Sequence, residues 1–422
     1  MPKVVPLEEL DLKDYIRAGD TIFWGQAAAE PLALTTALVT QRAELGGVNA
    51  FVGISWHDTV SQDYCDHIVY RSYCGTGKNR LLARTGRLDI LPVHYSSFAQ
   101  KLTGNVDVLF LQLAPGRSPG TYSFGLACEY LWPLIRASRV VIAEVNDALP
   151  ATQSTVEISA DDIDIVVHTS RKPMTPPTAE PDALQSAIAQ NVAALIPDGA
   201  TLQIGLGALP SAILSALGSH RHLGVHTGLF VDGLTDLIEA GVIDNSRKKI
   251  YPGISLAGLI AGSEKTFKLC KEPDLLFLAP TSQTHGLSTL ARIEQFTAIN
   301  SALEVDLGGQ ANTETTGRDY VGAIGGGTDF ARGGAASKGG LPIIALPSAR
   351  RLRDGTLKSC IVPKLSGPAS LARSDAGIIV TEYGHADLRG VGLAERASRL
   401  CSIAHPDLRE TLEREMRNQA IP

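Results

Sequence analysis

Glu304 is the residue whose type and surroundings best suit covalent chemistry. It lies in the apolar, β-branched stretch Ile299-Asn300-Ser301-Ala302-Leu303-Glu304-Val305-Asp306-Leu307-Gly308-Gly309-Gln310, which ends in a Gly-Gly turn. Flanking apolar residues raise the cost of ionising a carboxylate, and glycines let a ligand approach the backbone closely. A strand-borne glutamate beside an open turn can act as a nucleophile. The same pattern also describes an ordinary strand carboxylate facing solvent.

Three glycine-bearing stretches could serve such a nucleophile. Gln203-Ile204-Gly205-Leu206-Gly207-Ala208-Leu209-Pro210 follows an apolar strand and opens a helix, so Gly205 and Gly207 can present backbone N–H groups to an anion. Pro210 stands roughly where a dinucleotide fingerprint needs its third glycine, and a tight structural turn explains the spacing equally well. Gly322-Ala323-Ile324-Gly325-Gly326-Gly327 holds four glycines in six residues. Such a loop costs backbone entropy and points to close approach by a ligand or another backbone. Arg332, Lys338 and Arg350 follow it and could meet phosphates, although solvated surface is the usual place for such residues. Thr381-Glu382-Tyr383-Gly384 ends a third apolar run, where open α/β sheets bind ligands. His57, Asp58, Asp66 and His67 lack usual metal-ligand spacing, and Gly253-Ile254-Ser255-Leu256-Ala257-Gly258 misses the nucleophile-elbow spacing. No metal is expected.

The elements that must position these residues read as a parallel α/β protein. Thr21–Trp24, Ala50–Trp56, Val106–Leu113 and Arg139–Val145 are apolar runs separated by helical segments, one of them opening near Pro31. Residues 171–183 carry four prolines and read as a linker. It divides the chain into expected domains at 1–175 and 183–422. Gly19–Gly25 then matches Gly199–Gly205, Asp107–Leu111 matches Asp274–Leu278, and Val141–Glu144 matches Ile379–Glu382. Three matches in the same order predict two tandem α/β domains of related fold.

Composition narrows the class. The chain has 422 residues, enough for two or three domains, and a net charge of −6 with both signs interspersed. This argues against nucleic acid or an anionic membrane as partner. Six cysteines without a paired spacing read as reduced thiols. The acidic opening stretch lacks an apolar signal region and no long apolar run follows, so a cytoplasmic location is expected.

Ala143–Pro150, Leu202–Pro210, Asn300–Gln310 and Val380–Gly390 together resemble the acetyl-CoA hydrolase/transferase family, with greatest similarity to the 4-hydroxybutyrate CoA-transferase type. The resemblance spans about residues 15–410 and implies two tandem CoA-transferase-type α/β domains with mainly parallel sheets. It implies coenzyme A and acyl-CoA as substrates, a small carboxylate as acceptor, and a homodimer or homotetramer. It also implies a glutamate that forms a glutamyl-CoA thioester. The 4-hydroxybutyrate type carries that glutamate in a His-Ser-Glu-Met segment, whereas this chain has His226-Thr227-Gly228-Leu229. In branches resembling succinyl-CoA:acetate transferases it falls in a segment matching Asn300–Glu304, which assigns the role to Glu304. The resemblance further suggests Gly205, Gly207 and Gly384 for the acyl group, and Gly325, Gly326 and Gly327 for the CoA arm.

Overall fold

The computed structural model describes residues 1–176 and 180–418; residues 177–179 of the proline-rich linker, and the last four, lie outside the described residues. The apolar runs condense into two large sheets. The first runs in the order Lys3–Val4, Ile165–Thr169, Val140–Asn146, Val108–Pro115, Thr21–Trp24, Val48–Phe51, Ile68–Ser72 and Leu88–Ile90, with every neighbour parallel. The second runs Gly384–Asp387, Ile378–Thr381, Leu341–Ala345, Phe296–Ser301, Thr201–Ile204, Gly224–Val231, Ser255–Ala261, Leu276–Leu278 and Gln153–Ser154. Only Gly384–Asp387 is antiparallel to its neighbour there. Ser255–Ala261 is buried along its whole length, as a parallel strand covered on both faces must be.

Each sheet reverses its strand order once. Strands after Thr21–Trp24 are added on one side through Leu88–Ile90, and Val108–Pro115 then starts the other side. The second sheet does the same between Thr201–Ile204 and Phe296–Ser301. The two halves are therefore related α/β units, each with a switch point where such sheets form a crevice.

Two of the three internal matches nevertheless join strands that are not equivalent. Val108–Pro115 occupies the place that Phe296–Ser301 takes in the second sheet, while Leu276–Leu278 lies on the opposite flank. Val140–Asn146 likewise corresponds to Leu341–Ala345 and not to Ile378–Thr381. Buried parallel strands draw on the same few aliphatic residues, so local likeness does not fix their order. Only the match of Gly19–Gly25 with Gly199–Gly205 joins equivalent positions.

Two strand expectations also change. The second strand is Val48–Phe51, ending before Gly53, where a Cβ would lie 2.5 Å from the Gln26 Oε1. The expected continuous run around Glu304 is broken. Phe296–Ser301 belongs to the large sheet, whereas Glu304–Asp306 pairs with Ala311–Asn312 and Ile361–Val362 in a separate three-stranded ribbon.

The halves are closely joined. One apolar cluster contains Phe23, Leu109 and Phe124 from the first half and Leu202, Val225 and Ile343 from the second. Backbone bonds cross between them from Cys128 N–H to Gly258 O (3.0 Å), Gly75 N–H to Gly322 O (2.8 Å) and Tyr95 N–H to Gly325 O (3.1 Å). Among the described residues, no helix is long and apolar enough to cross a membrane.

Candidate active site

The second switch point places several of the expected residues together. Thr201–Ile204 runs directly into Gly205 and Gly207, and the helix Ala208–Ala216 follows. A Cβ on Gly205 would meet nothing within 4 Å, while Gly207 has φ +128°, a conformation that favours glycine. Across the crevice, Asn300 exchanges side-chain hydrogen bonds with Gln203, at 3.1 and 3.3 Å. Asn300, Ser301 and Gly327 border a cavity of about 150 Å³ that also touches Thr313 and Thr328.

Glu304 stands three residues beyond the end of the strand Phe296–Ser301 and is 4% exposed. Its Oε1 accepts from Asn312 Nδ2 (3.0 Å), Ser366 N–H (2.7 Å), Ser366 Oγ (2.9 Å) and Gly367 N–H (3.2 Å). Among the described residues its Oε2 contacts one donor, the same Ser366 Oγ, at 2.8 Å. Burial works to raise the Glu304 pKa, but the bonds from Asn312, Ser366 and Gly367 more than reverse it and hold the group below its ordinary value. The apolar flanks thus do not hinder ionisation: they face the ribbon's core through Val305 and Leu307, while the carboxylate turns toward donors. Ser366 lies far from any motif, and Asn312, two residues past the Asn300–Gln310 stretch, was not singled out by it.

The glycine-rich loop has mixed reasons for its composition. A Cβ on Gly322 would run into the Thr313 carbonyl, and Gly325 has φ +53°. A Cβ on Gly326 would stand 2.6 Å from His285 Nε2, whereas one on Gly327 would meet nothing within 4 Å. Close packing within the protein therefore accounts for Gly322 and Gly326, and Gly327 is the member left open to a ligand. The loop is also pinned to the first half, because Ser96 donates to Asp329 through N–H (2.9 Å) and Oγ (2.7 Å). Arg332 pairs with Asp375 at 3.0 Å, and Lys338 lies 3.9 Å from Glu294. Gly384 starts the antiparallel strand after the Glu382-Tyr383 turn with φ +123°, so the turn itself requires a glycine there.

Gly228 follows Thr227, whose Oγ1 contacts both the N–H and the O of Ile204 at the end of the switch-point strand. A Cβ at 228 would lie 2.9 Å from His285 Cε1 and Nε2 and 3.4 Å from Phe330. The imidazole occupies the space that a side chain at 228 would enter. His285 in turn lies against Phe330 (centroids 4.4 Å) and Tyr95 (4.9 Å). Below it is a buried polar network: Tyr95 OH donates to Glu129 Oε2 (2.7 Å), and Gln26 Nε2 donates to Glu129 Oε1 (2.9 Å). Burial lifts the Glu129 carboxyl to about 7, against the hydrogen bonds from Tyr95 and Gln26. Burial, with His226 nearby, lowers His285 to about 3. Gln26, Tyr95, Glu129 and His285 come from four distant stretches, and sequence reasoning singled out none of them as functional.

The first switch point is filled. Arg171 reaches over it to pair with the fully buried Glu144 at 2.8 Å and to bond Gln112 and the Glu30 carbonyl. Of the two crevices the fold generates, this one is plugged by the chain itself. Among the described residues, no group of three or more His, Cys, Asp or Glu side chains is arranged to hold a metal ion.

Two tandem α/β units with an open glycine-lined crevice in the second define an enzyme of the CoA-transferase class. The acetyl-CoA hydrolase/transferase N-terminal domain matches residues 3–176 and the C-terminal domain of the same description matches residues 262–416. The chain belongs to the acetyl-CoA hydrolase/transferase family. It is 32% identical over 406 residues to 4-hydroxybutyrate coenzyme A transferase of Clostridium kluyveri, covering 94% of each chain. RipA from Yersinia pestis superposes with a TM-score of 0.92 at 29% identity, over 100% of this chain and 98% of that one. A 4-hydroxybutyrate CoA-transferase from Porphyromonas gingivalis gives 0.81 at 29% identity, over 99% and 98% respectively.

Proposed function

We propose that this protein moves CoA between short-chain carboxylic acids, of the acetyl-CoA and 4-hydroxybutyrate kind, through a glutamyl-CoA thioester on Glu304. The observation that carries the reading is an ionised carboxylate just beyond the switch-point strand of a chain in this family. Three N–H donors hold Oε1, and Oε2 shares only the Ser366 hydroxyl among the described residues, so Oε2 is the oxygen that attacks. It bonds to the thioester carbonyl carbon, the C–S bond breaks, and CoA leaves as thiolate. The thiolate then attacks the glutamyl carbonyl of the mixed anhydride, releasing the first acid and leaving glutamyl-CoA. A second carboxylate reverses both steps and departs as the new acyl-CoA, giving ping-pong kinetics.

In this reading Gly205, Gly207 and Gly384 offer backbone contacts to the acyl group. The CoA arm passes Gly325, Gly326 and Gly327, with Gly327 the position of closest approach. The enzyme is a homodimer or homotetramer acting on small-molecule substrates, by the same likeness to its family, and the acidic, weakly apolar opening stretch supports work in the cytoplasm.

Borohydride tests the mechanism, because it reduces a glutamyl-CoA thioester and spares a free carboxylate. Inactivation that requires acyl-CoA, with the mass change on Glu304, is the expected result. A mass change on another glutamate moves the site, and turnover without any inactivation removes the covalent route. A non-catalytic CoA-binding protein is the reading that the missing side chain at Gly228 motivates, and hydrolysis is the one motivated by the hydrolases in the family. Hydrolysis predicts turnover independent of a carboxylate acceptor, whereas transfer accelerates with acceptor concentration.

A further inference from the structure

Resting on the CoA-transfer reading, we infer that Ser96, at the start of its helix, is a positioning residue that fixes the glycine-rich loop before acyl-CoA arrives. Every residue of the proposed chemistry lies in the second half of the chain, yet the loop offered to the CoA arm is held from the first. Gly75 N–H reaches Gly322 O (2.8 Å) and Tyr95 N–H reaches Gly325 O (3.1 Å). Ser96 bonds Asp329 twice, through N–H (2.9 Å) and Oγ (2.7 Å). The anchored residues 322, 325 and 329 bracket Gly326 and Gly327. Ala323, Ile324, Gly327 and Thr328 belong to the wall of the cavity of about 150 Å³, so the place of the loop decides the shape of that cavity.

The contact is built from both sides. Helix Tyr95–Leu102 follows His94, whose side chain gives it no capping bond among the described residues. The first N–H groups of a helix have no partner within it and carry its positive dipole end. Those of Tyr95 and Ser96 turn to the Gly325 carbonyl and the Asp329 carboxylate, so the cap comes from the other half. Asp329 is 8% exposed and stands in the first turn of helix Gly327–Ala336, directly after the loop. Its carboxylate ties the start of one helix to the start of another. Tyr95 holds its place because its ring packs among Tyr73, Phe98 and Tyr130 and its hydroxyl donates to Glu129. At the remaining anchor, a Cβ on Gly75 would stand 2.3 Å from the Tyr320 carbonyl oxygen, so the close approach of the two backbones needs a glycine.

Glycine loses more backbone freedom on ordering than any other residue, and this loop has four in six positions. Were the ligand to order the loop, that cost would come off its affinity; anchors within the protein meet it during folding instead. The consequence falls on one half of the ping-pong cycle. Acyl-CoA gains from a loop already fixed. The acceptor acid arrives when CoA is tethered to Glu304 and lies along the loop, so its binding is indifferent to the anchor.

Kinetics and hydrogen exchange of the full-length protein test this. Ser96→Ala should raise KM for acetyl-CoA about tenfold and leave kcat and the KM of the acceptor acid near the parent's. Ser96→Thr, which keeps the hydroxyl, should restore the parent's KM. Asp329→Asn should shift the same constant, and adding Ser96→Ala to it should cost little more, because the pair acts as a unit. In the free protein, amides 322–328 should exchange faster in Ser96→Ala than in the parent, and saturating CoA should bring them back toward the parent's rate. A rise in both Michaelis constants, or a loss confined to kcat, would make Ser96 a general structural support and overturn the inference. Unchanged exchange with unchanged KM would overturn it as well. A parent that turns over acetyl-CoA while CoA leaves loop exchange unaltered would remove the loop's role and keep the CoA reading. A parent that neither binds CoA nor turns over acetyl-CoA would overturn both.

Discussion

Removing the Ser366 hydroxyl should move the acid limb of the reaction. That hydroxyl lies 2.9 and 2.8 Å from the two Glu304 oxygens and, having one proton, provides one charge-assisted bond. Such bonds are worth about 1.5–3 kcal/mol, and one pKa unit corresponds to about 1.4 kcal/mol. Ser366 is exposed, so water replaces part of the loss and the low end applies. In Ser366→Ala the Glu304 pKa should therefore rise back toward its ordinary value. The low-pH limb of kcat/KM, followed from pH 3.5 to 8, should rise with it. Stability has the matching sign. A carboxylate with a depressed folded pKa stabilises the fold above its unfolded pKa and loses that contribution as pH falls through the folded value. Urea unfolding should thus show a deficit of about 1 kcal/mol at pH 7 that shrinks toward pH 3. A stability deficit at pH 7 with an unmoved acid limb would mean that another group controls the rate. No change in either would refute the bonding itself.

Glu304→Gln should lower transfer by about 10³-fold or more if the residue is the nucleophile, measured as CoA exchange between two acids. It should also lose about 1–3 kcal/mol in urea unfolding, since an amide cannot accept from every donor now directed at the carboxylate. Gly228→Glu should be destabilised by about 1–3 kcal/mol through its clash with the His285 ring, and His285→Gly in the same chain should recover most of the loss in thermal melts. Glu30→Gln should stabilise the fold increasingly between pH 5 and 8. Burial raises the Glu30 pKa to about 8, so the unfolded chain ionises first and stability falls across that window, an effect of up to about 3 kcal/mol at pH 7. Denaturant titrations of parent and variant at pH 5 and 7.5 should diverge accordingly.

The architecture was legible because buried parallel strands are nearly uninterrupted apolar runs, and because helices follow Pro31 and the Gly205–Gly207 turn. Strand order was less so. Asp274–Leu278 and Asp107–Leu111 look alike because both are buried, yet they lie on different flanks of their sheets. At the site, Glu304 and Gly205 announced themselves through local context. The donors that hold Glu304 come from residues 312, 366 and 367, and the His285 pocket joins residues 95, 228, 285 and 330. Contacts between such distant positions arise only from tertiary packing. The bareness of the 322–327 loop was visible, but a sequence could not distinguish a glycine yielding to a carbonyl, as at Gly322, from one left open, as at Gly327.

Gln153–Ser154, from the first half, forms the outermost strand of the second sheet beside Leu276–Leu278. During synthesis this strand emerges well before its partner and must wait until more than a hundred further residues have left the ribosome. The second unit therefore closes its sheet on a strand that the first supplies. Cutting the chain at the proline-rich segment would leave the second fragment with Phe277 and Leu278 on a bare edge, a surface prone to pair with strangers. The two units are related in form but depend on each other to assemble.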